Sequence, residues 1–143
     1  MSRFSIALVA LSSALALMSI PARAGDPTGL WLSQDGDVKM KVSQCGGAIC
    51  GHIAWLKEPN DKSGKPKVDA NNADTSKRSR PIMGSAVILP MKADGADKWS
   101  GQIYNAEDGK TYSGSFALAG ATKADLKGCV AIICKTKTWT RTN

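Results

Sequence analysis

Short segments of alternating apolar and polar residues, separated by turn signals, constrain the fold of this 143-residue chain more than any other feature. In one such segment Tyr112, Gly114, Phe116 and Leu118 alternate with small or polar residues. Alternation with a period of two indicates a strand with one buried face. The chain has about eight such segments, no convincing amphipathic helix, and only short connections after residue 84. The sequence therefore predicts an all-β fold, a small eight-stranded up-and-down antiparallel barrel with one long loop.

Two further features favour closure of the sheet into a barrel. Gly101, Gly114 and Gly128 interrupt strand patterns, and glycines inside strands mark the bends that a small barrel requires. The predicted first strand begins with residues 29–31, Gly-Leu-Trp, and the predicted last strand ends with residues 138–141, Thr-Trp-Thr-Arg. We expect these two ends of the sheet to meet.

Residues 57–80 interrupt the strand pattern with a long, highly charged segment that has almost no apolar residues. A loop of this length in a compact domain is either functional or a disordered excursion. Its density of Asn, Asp and Arg slightly favours an ordered loop, with a short helical turn over residues 74–78. The candidate functional residues of this loop are Asp69, Asn72, Asp74, Arg78 and Arg80.

The first 24 residues are typical of a secretory signal peptide. Arg3 supplies the basic start, residues 4–20 the apolar region, and Ala22 and Ala24 the small residues before the cut. The alternative is a transmembrane anchor, for which an apolar run of about 17 residues is at the lower limit. We expect cleavage after Ala24, a periplasmic or secreted location, and one domain over residues 25–143 without stable membrane insertion.

Four cysteines in an exported chain indicate two disulfides. Each local pair, Cys45 with Cys50 and Cys129 with Cys134, brackets a candidate turn, so local pairing is favoured. A pair five residues apart cannot bond along an extended strand, because the span of roughly 16 Å far exceeds the required Cα separation near 5.5 Å. The intervening Val-Ala-Ile-Ile of the second pair is a poor turn sequence, which leaves cross pairing open. No metal site is expected, because the spacing is not Cys-x-x-Cys and His52 is the single histidine.

Several motifs, occurring in order from about residue 26 to 142, resemble the bacterial exported family catalogued as domain of unknown function 2147. They comprise residues 45–47, 50–56, 69–74, 78–84, 101–104, 108–113 and 138–141. The family itself is similar to the lipocalin superfamily, which implies an eight-stranded antiparallel barrel with a cavity. The resemblance also implies that Arg141 stacks on Trp31 at the closed end, a structural cation–π contact of about 0.5–2 kcal/mol.

Binding of a small apolar or amphiphilic ligand inside the barrel is the first functional hypothesis. An eight-stranded barrel either packs shut or holds one small molecule. The alternative is that the inward side chains simply fill the core. The candidate lining residues are Met40, Val42, Ile53, Trp55, Val87, Leu89, Ile103, Tyr112, Phe116 and Leu126.

The second hypothesis is a protein- or glycan-interaction module that uses the basic 57–80 loop. No enzyme and no cofactor are expected, because the sequence lacks the Gly-x-Ser-x-Gly, His-Glu-x-x-His and P-loop patterns. Nucleic acid is not an expected partner, since the basic loop has no interleaved aromatic residue between Trp55 and Trp99. The net charge of +7 falls to +5 once Arg3 and Arg23 are removed, which is compatible with solubility alone.

Overall fold

The computed structural model describes residues 25–143, so the predicted signal peptide over residues 1–24 lies outside the described residues. Eight antiparallel strands form a closed barrel in which each strand pairs with its neighbours in sequence order. This architecture confirms the predicted fold class. The strands are β1 (Gly29–Leu32), β2 (Val38–Cys45), β3 (Ala48–Leu56), β4 (Ala86–Ala93), β5 (Lys98–Asn105), β6 (Lys110–Leu118), β7 (Lys123–Val130) and β8 (Ile133–Thr142).

The barrel closes where β1 pairs with both β2 and β8. Trp31 lies opposite Met40 on one side and opposite Arg141 on the other. A 3₁₀ turn, Thr75–Lys77, lies in the β3–β4 connection, inside the segment for which a short helical turn is predicted. Within residues 25–143, no helix has the length and apolar character needed to cross a membrane.

A row of glycines crosses the middle of three adjacent strands, because Gly101 is the register partner of Gly114 and Gly114 that of Gly128. A Cβ atom on Gly114 would lie 2.4 Å from Cδ1 of Ile103 and 2.8 Å from the carbonyl oxygen of Lys127. The missing side chain therefore gives room to a neighbouring isoleucine and to the next strand, which lets the sheet coil tightly.

A dense apolar core fills the half of the barrel where β1 begins and β8 ends, which we call the closed end. Trp31 and Phe116 are fully buried and meet edge to face, with ring centroids 5.4 Å apart. This geometry is favourable for aromatic pairs. Other buried members of this core include Met40, Val42, Ile49, Ile88, Met91, Trp99 and Ala124.

A β-bulge between β2 and β3 changes which side chains face inward. Lys39 pairs with Trp55, but the next residue, Met40, pairs with Ile53, so two residues of β3 oppose one of β2. The prediction that Trp55 shares the inner face with Ile53 is therefore wrong. Trp55 is 40% exposed on the outer face, where the Lys39 ammonium lies 5.5 Å from its ring centroid.

Both disulfides have the favoured local pairing, and they lie at opposite ends of the barrel. Cys45–Cys50 joins β2 to β3 at the closed end, and Cys129–Cys134 joins β7 to β8 at the other end. The poor turn sequence of the second pair forms a two-residue turn between the register partners Val130 and Ile133.

Candidate functional site

Arg141 binds the segment that precedes β1 and thereby seals the closed end. Its guanidinium donates hydrogen bonds to the carbonyl oxygens of Thr28 at 2.6 Å, Asp26 at 2.7 Å and Ala121 at 3.1 Å. The same group lies 4.3 Å from the ring centroid of Trp31, as the resemblance implies. These contacts use the whole guanidinium fork, so the arrangement is suited to a structural role rather than to ligand binding.

A cavity of about 1130 Å³ occupies the opposite half of the barrel, which we call the open end. Its inner wall is apolar and is formed by Val38, Ile53, Val87, Ile103, Leu126 and Trp139. The indole ring of Trp139 belongs to this wall, while its N–H is enclosed and has no hydrogen-bond partner among the described residues.

The rim of the cavity is polar and carries charges of both signs. The β1–β2 loop, the β3–β4 loop (residues 57–85), the β5–β6 turn and the β7–β8 hairpin all contribute to it. An apolar interior beneath a charged rim is suited to a ligand with one apolar and one polar part. The charged rim residues are Asp35, Asp37, Lys57, Glu58, Asp61, Lys67, Glu107, Asp108, Lys135 and Lys137.

The structure divides the ten predicted lining residues into three groups. Those that line the cavity are Ile53, Val87, Ile103, Tyr112 and Leu126. Met40, Val42 and Phe116 instead lie in the packed core of the closed half. Leu89 is half-buried away from the cavity, and Trp55 is on the outer face. Alternation distinguishes the inside of a barrel from its outside, but it carries no information on whether the inside is filled at that height.

Several cavity residues are absent from the predicted set. Val38 continues the alternation of Met40 and Val42, so its inward position could have been inferred from β2 alone. Trp139 and Lys137 share one face of β8 by the same rule, but a lysine in such a pattern is normally assigned to the surface. Ile82 and Val68 belong to the long loop, and no pattern in the sequence predicts that this loop borders the cavity.

A buried carboxylate, Asp69, fixes the long loop to the barrel. Arg80 approaches Asp69 with two nitrogens, each 2.9 Å from Oδ2, and Asn72 donates to the same oxygen at 2.8 Å. The hydroxyl of Tyr104, on β5, donates to Oδ1 at 2.6 Å. Asp69 has no exposed surface, whereas the Arg80 side chain is 38% exposed. We call these four residues the Asp69 network.

The Asp69 network keeps its carboxyl ionised. Burial alone would raise the pKa of Asp69, but the hydrogen bonds from Tyr104, Asn72 and Arg80 outweigh it and lower the pKa below its usual range. Burial, together with the hydrogen bond to Asp69, raises the pKa of Tyr104. The pair therefore consists of a stable carboxylate and a neutral phenol over the physiological pH range, which suits an anchor better than a proton-transfer site.

None of the five loop candidates lines the cavity; their polar groups hold the loop itself. Arg78 donates to the carbonyl oxygen of Asn72 at 2.8 Å. Asp74 caps the 3₁₀ turn, because its carboxylate accepts a hydrogen bond from the Ser76 amide at 3.0 Å. These residues belong with Asp69 and Arg80 to the internal framework of the loop.

Asn71, which was not among the candidates, connects the loop to the rim. Its side-chain amide donates to the carbonyl oxygen of Glu107 at 2.8 Å, and the residue lines the cavity. Gly109, with φ of 68°, passes so close that a Cβ there would lie 1.7 Å from the Asn71 carbonyl oxygen. On the same turn, a hydrogen bond from Tyr112 to Asp108 lowers the pKa of that carboxyl and raises the pKa of the phenol. The loop and the β5–β6 turn thus form one wall of the mouth.

Within the part of the chain that the structure describes, no three His, Cys, Asp or Glu side chains are grouped to hold a metal ion. His52 is exposed on β3 and does not line the cavity.

Comparisons with known proteins agree with this architecture. The family model described as an uncharacterized protein conserved in bacteria (DUF2147) matches residues 29–141. The chain is similar in structure to protein HP1028 from the human pathogen Helicobacter pylori, which is described as belonging to the lipocalin family. The superposition has a TM-score of 0.73 and 20% sequence identity, and it covers 82% of this chain and 84% of that one. At this identity the likeness concerns the fold alone. None of the curated proteins compared with the chain matches it.

Proposed function

The chain belongs to the bacterial DUF2147 family and has a lipocalin-like barrel, and from this premise we propose that it is an exported protein that binds a small, partly apolar ligand. The observation that carries the proposal is the cavity of about 1130 Å³ at the open end. Small-molecule sites are commonly of about 300–1,000 Å³, so the cavity has room for one ligand of that class.

The distribution of polarity in the cavity supports an amphiphilic ligand. An apolar chain or ring would lie against Ile53, Ile103 and Leu126, where it removes apolar surface from water. A polar group would remain at the rim, close to Lys57 or Lys135. This orientation leaves the packed half of the barrel unchanged, so binding requires no opening of the core.

The two disulfides support export to the periplasm or beyond, because such bonds persist in oxidising compartments. We propose a role in binding and not in catalysis. Asp69 and Asp108, two carboxyl groups at the open end whose pKa values are lowered, each accept a hydrogen bond from a tyrosine and hold the loop or the turn in place.

The interaction-module hypothesis has less support. The two arginines of the loop, Arg78 and Arg80, form hydrogen bonds within the loop itself. An anionic partner that binds these arginines would therefore have to compete with contacts that hold the loop in place.

Native mass spectrometry of the protein, purified under mild conditions from its own bacterial envelope, tests the proposal. We expect a co-purified small molecule, and we expect dodecanoate or dodecanol to raise the melting temperature of the emptied protein. At a ligand concentration of 100 times Kd, the stabilisation would be about 2.7 kcal/mol.

A matched pair of variants links the effect to the cavity. Ala86 lines the cavity, and Ala86→Phe should place a ring inside it and reduce the thermal shift. Ala54 is exposed on β3 and outside the cavity, so Ala54→Phe should bind like the unmodified protein. Absence of a co-purified molecule, together with no thermal shift from either amphiphile, would refute the proposed function.

A further inference from the structure

The tip of the β7–β8 hairpin, residues 130–133, exposes the largest concentration of apolar side chains on the described surface. Val130 is 59% exposed, Ile132 is 96% exposed and Ile133 is 72% exposed. Scattered apolar residues on a surface need no explanation, but three within four consecutive residues indicate a contact surface.

The turn chemistry does not explain why these residues are apolar. Ala131 and Ile132 form the two-residue turn, and Ala131 has a φ of 52°, a conformation that favours glycine or asparagine. Two-residue hairpin turns normally use Gly, Asn or Asp, and these residues would expose no large apolar side chain to water. The Cys129–Cys134 disulfide closes the hairpin just below the tip. The sequence thus maintains an apolar tip against local turn preference, a conflict that is typical of functional positions.

The two strands that carry the tip are basic. From residue 123 to residue 137 the chain has four lysines and one acidic residue, Asp125. Lys137 lies 3.9 Å from Asp35, whereas Lys127 and Lys135 have no ion-pair partner within the described residues. The two neighbouring turns at the open end instead carry acidic residues, at positions 35, 37, 107 and 108. At the β7–β8 hairpin, positive charge therefore coincides with the three most exposed large apolar side chains of the described residues.

We propose that the β7–β8 hairpin tip docks on a lipid bilayer that contains anionic lipids. Interfacial binding combines shallow insertion of apolar side chains with attraction between lysines and anionic headgroups, and both elements are present here. A stable protein–protein interface buries about 800 Å² on each partner, more than a four-residue tip can supply. A second copy of this chain would also bring Lys127 and Lys135 close to the same lysines of the first.

Docking in this way would bring the mouth of the cavity to the bilayer. Val130 and Ile133 belong both to the tip and to the lining of the cavity. An amphiphile could then pass between the bilayer and the cavity along a continuous apolar surface. This use of the docking surface rests on the proposed function, whereas the docking itself does not.

Co-sedimentation with vesicles tests the docking. The purified protein, with both disulfides formed and no added amphiphile, is mixed with vesicles of phosphatidylcholine alone or of phosphatidylcholine with phosphatidylglycerol. We expect binding to the anionic vesicles, weakened by salt, and much weaker binding to the neutral ones. Ile132→Asp should reduce the partition coefficient at least tenfold, because it replaces an inserted side chain by a charge. The double variant Lys127→Gln, Lys135→Gln should reduce it by about fivefold for each lysine.

Met83→Asp is the matched control, since Met83 is 41% exposed and belongs to the β3–β4 loop and not to the β7–β8 hairpin. It should bind vesicles like the unmodified protein. The proposal is overturned by absence of binding to anionic vesicles, by equal binding of Ile132→Asp, or by equal binding to neutral vesicles. A dimer in sedimentation velocity that Ile132→Asp dissociates would assign the tip to a second copy and overturn it too. Dodecanoate binding is measured separately without vesicles, so failure of the proposed function is distinguishable from failure of docking.

Discussion

The two halves of this barrel are built from the same strands, but one is packed and the other is hollow. Along the inner face of β6, Phe116 fills the closed half, while Gly114 and Tyr112 follow towards the open end. Along β8, Trp139 is followed by Lys137, which lines the upper cavity. The pattern of inward positions is thus continuous, and only the size and polarity of the inward side chains change. In the hollow half, the inward positions carry aliphatic residues, Tyr112 and the charged Lys137 instead of the tightly packed rings of Trp31 and Phe116.

The halves also differ in what holds their ends. At the closed end, Arg141 and Trp31 hold the segment before β1 against the core. At the open end, an ion pair between the buried Asp69 and the partly exposed Arg80 holds a long polar loop beside the mouth. Apolar burial needs no particular partner, but a buried carboxylate requires all of its hydrogen bonds. The open end is therefore ordered by a few specific contacts, and their loss should affect it alone.

The largest loss of stability is expected from a large-to-small substitution in the packed half. Phe116→Ala removes a fully buried ring that contacts Trp31 and should lower the free energy of unfolding by about 3–5 kcal/mol. Leu126→Ala, at the wall of the existing cavity, should cost less, because fewer atoms surround that side chain. Denaturant unfolding of both variants measures the difference. Equal losses would show that the two halves are packed alike.

Removal of the closed-end contact should have the next largest effect. Arg141→Ala loses three hydrogen bonds and the contact with Trp31, and should lower the free energy of unfolding by about 2–4 kcal/mol. Arg141→Lys keeps the charge but not the planar fork, so it should restore only part of the loss. Dodecanoate binding, measured by calorimetry below the melting temperature, should be unchanged. If Arg141→Ala abolished dodecanoate binding at an unchanged melting temperature, the ligand site would lie at the closed end, contrary to our proposal.

Loss of the Asp69 carboxylate should loosen the open end without unfolding the closed one. Asp69→Asn leaves Arg80 without its ionic partner and should cost about 2 kcal/mol, less than a fully buried pair because Arg80 is partly exposed. Amide hydrogen exchange should accelerate in residues 57–85 and remain slow in β1 and β8. Uniform acceleration across the barrel would mean that the loop anchor and the core unfold together.

The same variant should alter the dependence of stability on pH. The pKa of Asp69 is lower in the folded state than in the unfolded chain, where it is about 3.9. Its stabilisation is therefore fully present above the unfolded pKa and is lost as the pH falls through the folded pKa. Between about pH 5 and pH 2, the stability of Asp69→Asn should decline less than that of the unmodified protein. Parallel acid profiles would show that this carboxylate is not stabilised by the fold.

The smallest change in stability is expected from a substitution at Gly128. An added Cβ at Gly128 would meet only ordinary contacts, at 3.7 Å from Tyr112 and 3.8 Å from Ile103. Gly128→Ala should therefore change the free energy of unfolding by no more than about 0.5 kcal/mol. Its register partner Gly114 has a backbone oxygen 2.8 Å from the same position, so Gly114→Ala should be destabilising by about 1–3 kcal/mol. Thermal melts of the two variants provide the comparison.

The strand order of the barrel could be predicted from the sequence because period-two alternation and short turns determine it locally. The bulge that turns Trp55 outward could not be predicted from the sequence, because one extra residue in β3 leaves the alternation on either side of it intact. Asp69 and Arg80 could be named as candidate functional residues because they belong to the long polar loop. Their role as a loop anchor could not be predicted, because it depends on Tyr104, which lies 35 residues from Asp69 in the sequence. Whether an inward residue borders a core or a cavity depends on the side chains opposite it, which belong to other strands.

Isoleucine methyl NMR tests most directly whether only the open half accepts a ligand. Ile53 and Ile103 line the cavity, whereas Ile49 and Ile88 are buried in the packed half. Titration with dodecanoate should shift the methyl signals of the first pair and leave those of the second pair in place. Shifts concentrated at Ile49 and Ile88, or no shift at any of the four at saturating dodecanoate, would contradict a barrel that is packed at one end and ligand-binding at the other.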